Sequence, residues 1–541
     1  MKKIPLISFL SLVLSINIVA QTMDRDPQDS LESKIPDNWF NLDSSEDNVQ
    51  GISTDKTYEL LLNGKTAKPV IVAVIDSGVD IKHEDLVGSI WVNEKEIANN
   101  GLDDDKNGYV DDIHGWNFLG NSKGENIESD SYELTREYLR LSTKFESKKK
   151  IKKKEKKEYK YYQSVKKEFE RQKAETEEQF TFFSGFKKAH DLASQYLDNY
   201  FNGGAYTYSD ISELQGTDQA TKQVKQIMEI AHENGIDKEQ LIEGEKHFDN
   251  MLKFAFNLEF DPRPLVGDDY SDINEKGYGN NDVTGPDAMH GTHVAGIIAA
   301  NRNNSIGIKG ISNNVKIMSI RAVPDGDERD KDIINAIYYA VDNGAQIINM
   351  SFGKSYSPEK KALDKAVKYA EKKNVLLIHA AGNSSKNIDI KSNFPSKNFL
   401  EENGAASNWI EVGASSSQSG LELAGSFSNY GKETVDIFAP GVSINATLPD
   451  NKYGSLDGTS MAAPMVSGLS ALLLSYFPGL TAIEVKDIIL SSATSFASQK
   501  VNIPSKNGQY KITTFRELSK TGAIINVYSS VVAANSISEI E

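Results

Sequence analysis

From Val315 to Phe477 the chain alternates short β-branched apolar runs with helix-like segments, and this alternation constrains the fold most. Val315–Val323, Ala345–Gly353, Val375–Asn383 and Trp409–Ser415 read as strands. Asp332–Gly344, closed by Asn-Gly, and Ser357–Asn374, with proline near its start, read as helices, as does the run after Ser460. Upstream, "KPVIVAVIDSGVD" (Lys68–Asp80) is a further strand ending in a turn. Near-continuous apolar strands are those buried on both faces, as in parallel sheets. Strand and helix in turn predict an α/β fold in three layers, a mainly parallel sheet with helices on both faces. In such sheets reactive groups gather beyond the carboxyl ends of strands, where Asp76 and Asn383 stand.

The 541 residues carry 60 Lys+Arg against 77 Asp+Glu, a net charge of −17, which argues against nucleic acid as the main partner. Cysteine is absent, so disulfides, thiolate catalysis, zinc-thiolate sites and a lipid anchor on cysteine are excluded. Residues 1–20, "MKKIPLISFLSLVLSINIVA", read as a secretory signal cut near Ala20, which predicts an exported chain, periplasmic, outer-surface associated or secreted. No later stretch is long and apolar enough for a bilayer span. Residues 21–65 form a polar, irregular extension, of which Asp37–Leu62 is expected to lie against the core.

The composition changes between Ser131 and Glu259. Apolar residues recur at helical spacing at Leu134, Tyr138, Leu141 and Phe145, and again at Phe248, Met251, Leu252 and Ala255. "DKEQ" (Asp237–Gln240) resembles a capping box. The lysine-rich run Lys148–Tyr162 favours helix and reads as a solvated face, the alternative being a basic binding patch. An all-helical insertion over 124–264 follows, packed as a small bundle or hairpins and dividing an α/β domain of 66–123 and 265–541.

Three motifs stand in settings suited to acyl transfer. Asp76 ends a strand, "HGTHVAGIIA" (His290–Ala299) opens a helix, and "GTSMAAP" (Gly458–Pro464) brings Ser460 to a helix start. A serine hydroxyl needs a base to become a nucleophile near neutral pH, and the imidazole needs a carboxylate to fix its tautomer. Taken singly, each has a plain reading as a turn aspartate, a packed histidine or a helix cap. Together, in the order Asp, His, Ser, "VIDSGVD", "HGTHVAG" and "GTSMAAP" resemble the signature segments of subtilisin-like serine peptidases, over about residues 66–120 and 265–535.

The resemblance implies a serine endopeptidase acting on proteins or peptides through an acyl-enzyme, with no cofactor for catalysis. Asp76 would orient, His290 would act as base and acid, and Ser460 would attack, leaving His293 a structural role. "AAGNSS" (Ala380–Ser385) resembles the oxyanion segment, with Asn383 donating beside the Ser460 N–H. Ser351, Phe352 and Gly353, with Ala380, Ala381 and Gly382, would bind substrate, their small side chains suggesting an open pocket for apolar or aromatic groups. "DDDKNGYVDD" resembles a structural calcium loop, with Asp103, Asp105, Asn107, the Tyr109 carbonyl and Asp111 or Asp112 as ligands, although His114 stands where a bidentate glutamate belongs. A monomer is expected. The competing reading is a catalytically silent relative that binds peptides or a partner.

Asp76 and His290 are 214 positions apart, far more than in compact relatives. Both flanks of the helical segment lead to triad residues, so it is expected to border the cleft and limit substrates, the alternative being a lateral decoration.

Overall fold

A computed structural model of the chain describes residues 35–538, apart from 217, 506, 507 and 509. The expected signal segment, residues 1–20, lies outside the described residues. The described residues form two compact units: one holds Leu134–Phe260, the other residues 35–133 and 261–538.

The larger unit is built on β1 (Val70–Asp76), β2 (Gly115–Asn117), β3 (Val315–Arg321), β4 (Ile347–Met350), β5 (Leu376–Ala380), β6 (Trp409–Ser415) and β7 (Ile437–Pro440). Strands β8 (Ile444–Leu448) and β9 (Lys452–Leu456) form a hairpin, and β11 (Lys500–Asn502) pairs with β12 (Ile512–Thr514). The short β10 (Thr494–Ser495) and β13 (Ala523–Ile524) complete a nine-stranded sheet of order β10-β13-β7-β6-β5-β4-β1-β3-β2. Every pairing in it is parallel except β10 with β13.

The two-residue period of β1 separates its side chains between two cores. Val70, Val72 and Val74 join Val294, Ile297 and Ile298 of helix Met289–Ala299 and the apolar face of helix Thr459–Tyr476. Ala73 and Ile75 join Ile333 and Ile337 of helix Asp330–Asp342 and Leu363 and Val367 of helix Lys360–Lys372. Helices thus cover both faces, the expected three layers. Trp39, Phe40 and Ile52 of the extension belong to the first core, and Trp39 Nε1 donates to the Ser443 carbonyl at 3.2 Å.

Strands β4 and β5 stop at Met350 and Ala380, short of the expected Gly353 and Asn383, because the chain leaves the sheet there to build the site. Near the C-terminus, strand β13 is followed directly by the helix Val527–Ser538.

In the smaller unit the 45-residue helix Lys156–Tyr200 packs against helices Gln219–Glu233 and Lys238–Asn250. Asp237 and Gln240 form the capping box anticipated from the sequence. Tyr138 stacks on Phe169 at 4.5 Å, and Phe145 on Tyr162 at 5.8 Å. The lysine run is only partly helical. The α-helix begins at Lys156, directly after a 3-10 turn over Lys153–Glu155.

Candidate active site

Three parallel strands deliver the front of the site. Asp76 ends β1, Met350 ends β4 and Ala380 ends β5, so the segments that follow emerge on one edge of the sheet. After Asp76 the chain turns through Gly78, at φ +126°, a conformation suited to glycine. Gly291, in the first turn of helix Met289–Ala299, passes so close that a Cβ there would lie 2.1 Å from the Gly78 carbonyl oxygen. The two glycines bring strand end and helix start together, and His290 Nδ1 meets Asp76 Oδ1 at 2.7 Å. The same oxygen accepts from Ser77 N at 2.8 Å. Arg321, the register partner of Asp76 on β3, donates to the Ser77 carbonyl at 2.9 Å and steadies the turn from behind.

Asp76 is buried at 2% side-chain exposure while His290 keeps 34%, so the pair has an inner carboxylate and a reachable imidazole. Burial opposes the imidazolium, but the Asp76 carboxylate, with Asp287 further off, outweighs it and raises the His290 pKa above its usual 6.5. His293 is fully buried, its Nε2 lies 3.0 Å from the Gly454 carbonyl oxygen, and burial pushes its pKa down to about 3. A neutral, packed imidazole matches the structural role expected for it.

Ser460 sits in the first turn of helix Thr459–Tyr476, half-buried. Its Oγ donates to the Ser351 carbonyl at 3.0 Å, and among the described residues no hydrogen bond joins it to His290. The Ser460 carbonyl would ordinarily accept from the residue four positions on, but that residue is Pro464, which has no N–H. Ser351 Oγ fills the vacancy, donating to it at 2.9 Å. Asn349 donates to Ser351 Oγ at 2.9 Å and accepts from Ser467 Oγ at 2.8 Å, so a buried polar chain ties the serine's helix to β4.

Asn383 is oriented by Thr459, whose N and Oγ1 donate to Asn383 Oδ1 at 2.9 and 2.8 Å. The carboxamide Nδ2 is thereby left to donate elsewhere. A Cβ built on Gly458 would lie 3.4 Å from Asn383 Nδ2, from Ser460 N and from Met461 Sδ, so both nitrogens lie close to that glycine. Gly458 has an extended backbone at φ 162°, so its value lies in room rather than in conformation.

Ser351–Gly353 and Ala380–Gly382 leave the neighbouring strands β4 and β5, and other residues fix the second of these segments. Asn429 Nδ2 donates to the Ala381 carbonyl at 2.7 Å, Asn429 N to that of Gly382 at 2.7 Å, and Thr459 Oγ1 accepts from Gly382 N at 2.9 Å. The Phe352 ring is half-buried and meets His379 edge-on at 6.4 Å. Thr459 belongs to the Gly458–Pro464 motif and Asn349 to β4, whereas no local motif marks Asn393 or Asn429, which act from loops across tertiary contacts.

In the acidic loop, Asp103 and Asp105 are joined by Glu96, with ligand oxygens all within 4.8 Å of one another. Glu96 lies outside the sequence motif, and its Oε1 also accepts from Asp104 N and Asp105 N. Asn107 Oδ1 accepts from Tyr109 N at 2.8 Å, while the Tyr109 ring is buried against Trp116 and Tyr339. Asp111 accepts from Asn100 N and Gly101 N, and Asp112 from Asn93, Asn107 and Tyr339, so both lie outside the trio. Three carboxylates at that separation suit a hard cation with oxygen ligands.

Comparison with known proteins agrees with this architecture. The profile of the subtilase family matches residues 67–510. A thermophilic serine proteinase from Bacillus sp. (strain AK1) is 42% identical over 205 residues, 38% of this chain and 46% of that protein. Subtilisin DY from Bacillus licheniformis is 38% identical over 209 residues, 38% of this chain and 70% of that protein. The chain thus spans less than half the length of the first of these relatives. A solved structure of the subtilase cytotoxin SubAB assembly matches at 26% identity and a TM-score of 0.39, covering 47% of this chain and 78% of that one. With the profile spanning most of its length, the chain belongs to the subtilase family.

Proposed function

We propose that this chain is an exported serine endopeptidase that hydrolyses peptide bonds through an acyl-enzyme on Ser460. The observation that carries the reading is the Asp76–His290 pair, an inner carboxylate on an accessible imidazole. Ser460 Oγ leaves the Ser351 carbonyl by rotation about its Cα–Cβ bond, gives its proton to His290 Nε2 and attacks the scissile carbonyl carbon. Asp76 holds the Nδ1–H and stabilises the imidazolium. The carbonyl oxygen, now an oxyanion, accepts from Asn383 Nδ2 and Ser460 N beside Gly458. Collapse breaks the C–N bond, with the proton passing from His290 to the leaving amine. Water then repeats the sequence and frees Ser460. No step requires a cofactor.

Residues 66–123 and 265–541 serve as the catalytic domain in this reading and the helical segment as an insertion in it. Strands β1 and β2 precede that segment and β3 follows it within one sheet, which supports the division. Arg329 bonds Asp130 and Asp261, which flank the compact helical unit Leu134–Phe260. Calcium on Glu96, Asp103 and Asp105, completed by Asn107 or the Tyr109 carbonyl, would brace the loop without entering the chemistry. Export rests on the sequence of residues 1–20; among the described residues no helix is long and apolar enough to cross a membrane.

A fluorophosphonate probe tests the peptidase reading. Labelling of Ser460 that is lost in His290→Ala supports it. Folded protein that resists labelling favours the silent relative, for which the hydrogen bond of Ser460 Oγ to Ser351 would be a resting state with no exit.

A further inference from the structure

Residues 144–160 hold ten lysines, three glutamates and no arginine, within a chain of net charge −17. They join helix Glu133–Phe145 to helix Lys156–Tyr200 by way of the 3-10 turn Lys153–Glu155. All three glutamates are engaged. Lys144 Nζ donates to both Glu158 oxygens at 2.7 Å, Lys148 Nζ donates to Glu155 Oε1 at 2.8 Å, and Glu146 lies 3.8 Å from Lys166 Nζ. The other eight lysines are exposed, and among the described residues none has a carboxylate within ion-pair reach. Like charges crowded in this way repel one another, and an anionic partner relieves the repulsion.

The base of the patch is fixed. Phe145 stacks on Tyr162 at 5.8 Å and Tyr138 on Phe169 at 4.5 Å, while Tyr159 meets Phe145 edge-on at 5.5 Å. The Lys144 and Lys148 ammonium groups lie 5.4 and 5.1 Å from the Phe145 ring centre. These rings serve the packing of the two helix ends. A protein partner is ordinarily anchored by aromatic and arginine side chains, and single-stranded nucleic acid by rings on which bases stack. The patch offers lysines instead, compact hydrated charges on flexible stems with no fixed fork. Such charges suit a fluid sheet of phosphate headgroups, which rearranges to meet them and needs no matching pattern.

We infer that residues 144–160 are a docking surface for anionic phospholipid headgroups, which hold the chain at a bilayer face as a peripheral protein. The rest of the chain carries more negative charge than positive, so an anionic bilayer repels it, attracts this stretch, and is met with the lysines foremost. Export, as proposed above, brings the chain to such a surface. No residue of the candidate active site takes part, so the inference stands apart from the peptidase reading.

The test is sedimentation of the exported form, from Gln21 onward, with vesicles of phosphatidylcholine alone or with about a third phosphatidylglycerol. The partition coefficient is expected to be at least about tenfold higher on the anionic vesicles. Raising salt from about 0.1 M to about 1 M shortens the screening length from about 10 Å to about 3 Å and should abolish the difference. The combined variant Lys149→Gln, Lys150→Gln, Lys153→Gln, Lys154→Gln is expected to lose at least about tenfold in partition coefficient with an unchanged circular dichroism spectrum. The combined variant Lys361→Gln, Lys365→Gln, Lys372→Gln, Lys373→Gln removes as many charges elsewhere and should bind as the unaltered chain does. Equal losses in the two variants, or equal binding of the unaltered chain to both kinds of vesicle, overturn the inference. So does tighter binding, at equal charge, to polyglutamate or to a DNA oligonucleotide, which would make the partner an acidic polypeptide or a nucleic acid. Should the first variant misfold, the vesicle and salt comparisons on the unaltered chain decide alone.

Discussion

Ser351 and Ser460 exchange hydrogen bonds, the hydroxyl of each donating to the carbonyl of the other at 2.9 and 3.0 Å. The exchange exists because Pro464 withholds the N–H that the Ser460 carbonyl would otherwise receive. Ser351→Ala therefore leaves a part-buried carbonyl without its donor and is expected to cost about 1 kcal/mol, read as a lower urea midpoint. Adding Pro464→Ala returns an intrahelical N–H, so the double variant should recover part of that loss. Strict additivity of the two changes would refute the compensation.

Gly458 separates two N–H groups from a site where a methyl just fits. Gly458→Ala would place carbon 3.4 Å from Asn383 Nδ2 and from Ser460 N, an ordinary contact in the resting protein that would crowd the two donors proposed for the oxyanion. The expected result is a fall in kcat of at least about tenfold with little change in melting temperature. Asn383→Ala should lose about 10²–10³ in kcat, the loss found in a subtilisin deprived of such a donor. A parallel fall in thermal stability for Gly458→Ala would mean packing, not the oxyanion, is what the glycine serves.

In the proposed mechanism His290 carries the pH dependence. Its conjugate acid is held by Asp76 and, more weakly, by Asp287, so it keeps its proton above pH 6.5. The base form appears later, and the acid limb of kcat/KM should have its midpoint above 6.5. Asp287→Asn removes one carboxylate and should move that midpoint down. The same sign governs stability: a raised folded pKa means the pair stabilises fully below about pH 6.5, and this is lost as pH rises through the folded value. A limb at or below 6.5, unmoved by Asp287→Asn, would exclude His290 as the base.

What could be read from sequence follows the range of the interaction. Asp76, His290 and Ser460 stand out in the sequence because each lies in a local pattern, a strand end or a helix start, with small neighbours that permit close approach. Gly78 and Gly291 show why: their packing is tertiary, but the need for glycine is written at each position. Asn393 and Asn429 serve carbonyls that leave another strand, and a lone asparagine in a loop carries no local mark. Glu96 completes the acidic trio from outside the loop motif, where spacing rules do not look. Strands β2 and β13 are too short to show a period.

Glu96, Asp103 and Asp105 repel one another unless a cation lies between them. Calcium at a hundredfold excess over its dissociation constant should stabilise the fold by about 2.7 kcal/mol, seen as a higher melting temperature than in chelator. Glu96→Gln should shrink that difference, and Asp111→Asn should leave it largely intact. An equal loss in both variants would return the ligand set to the one read from spacing alone.

Removal of the helical unit has a natural seam. Arg329 holds Asp130 and Asp261, and Lys354 holds Glu133 at 2.8 Å, all within the larger unit. Deleting Leu134–Phe260 and joining Glu133 to Asp261 through a few glycines leaves those ion pairs in place. Closing a short flexible loop costs little, so the remainder should fold and label with fluorophosphonate. If the unit restricts substrates, the deletion raises cleavage of a folded protein relative to a short peptide. Equal change for both substrates makes it a decoration, and loss of labelling with loss of fold makes it part of the scaffold.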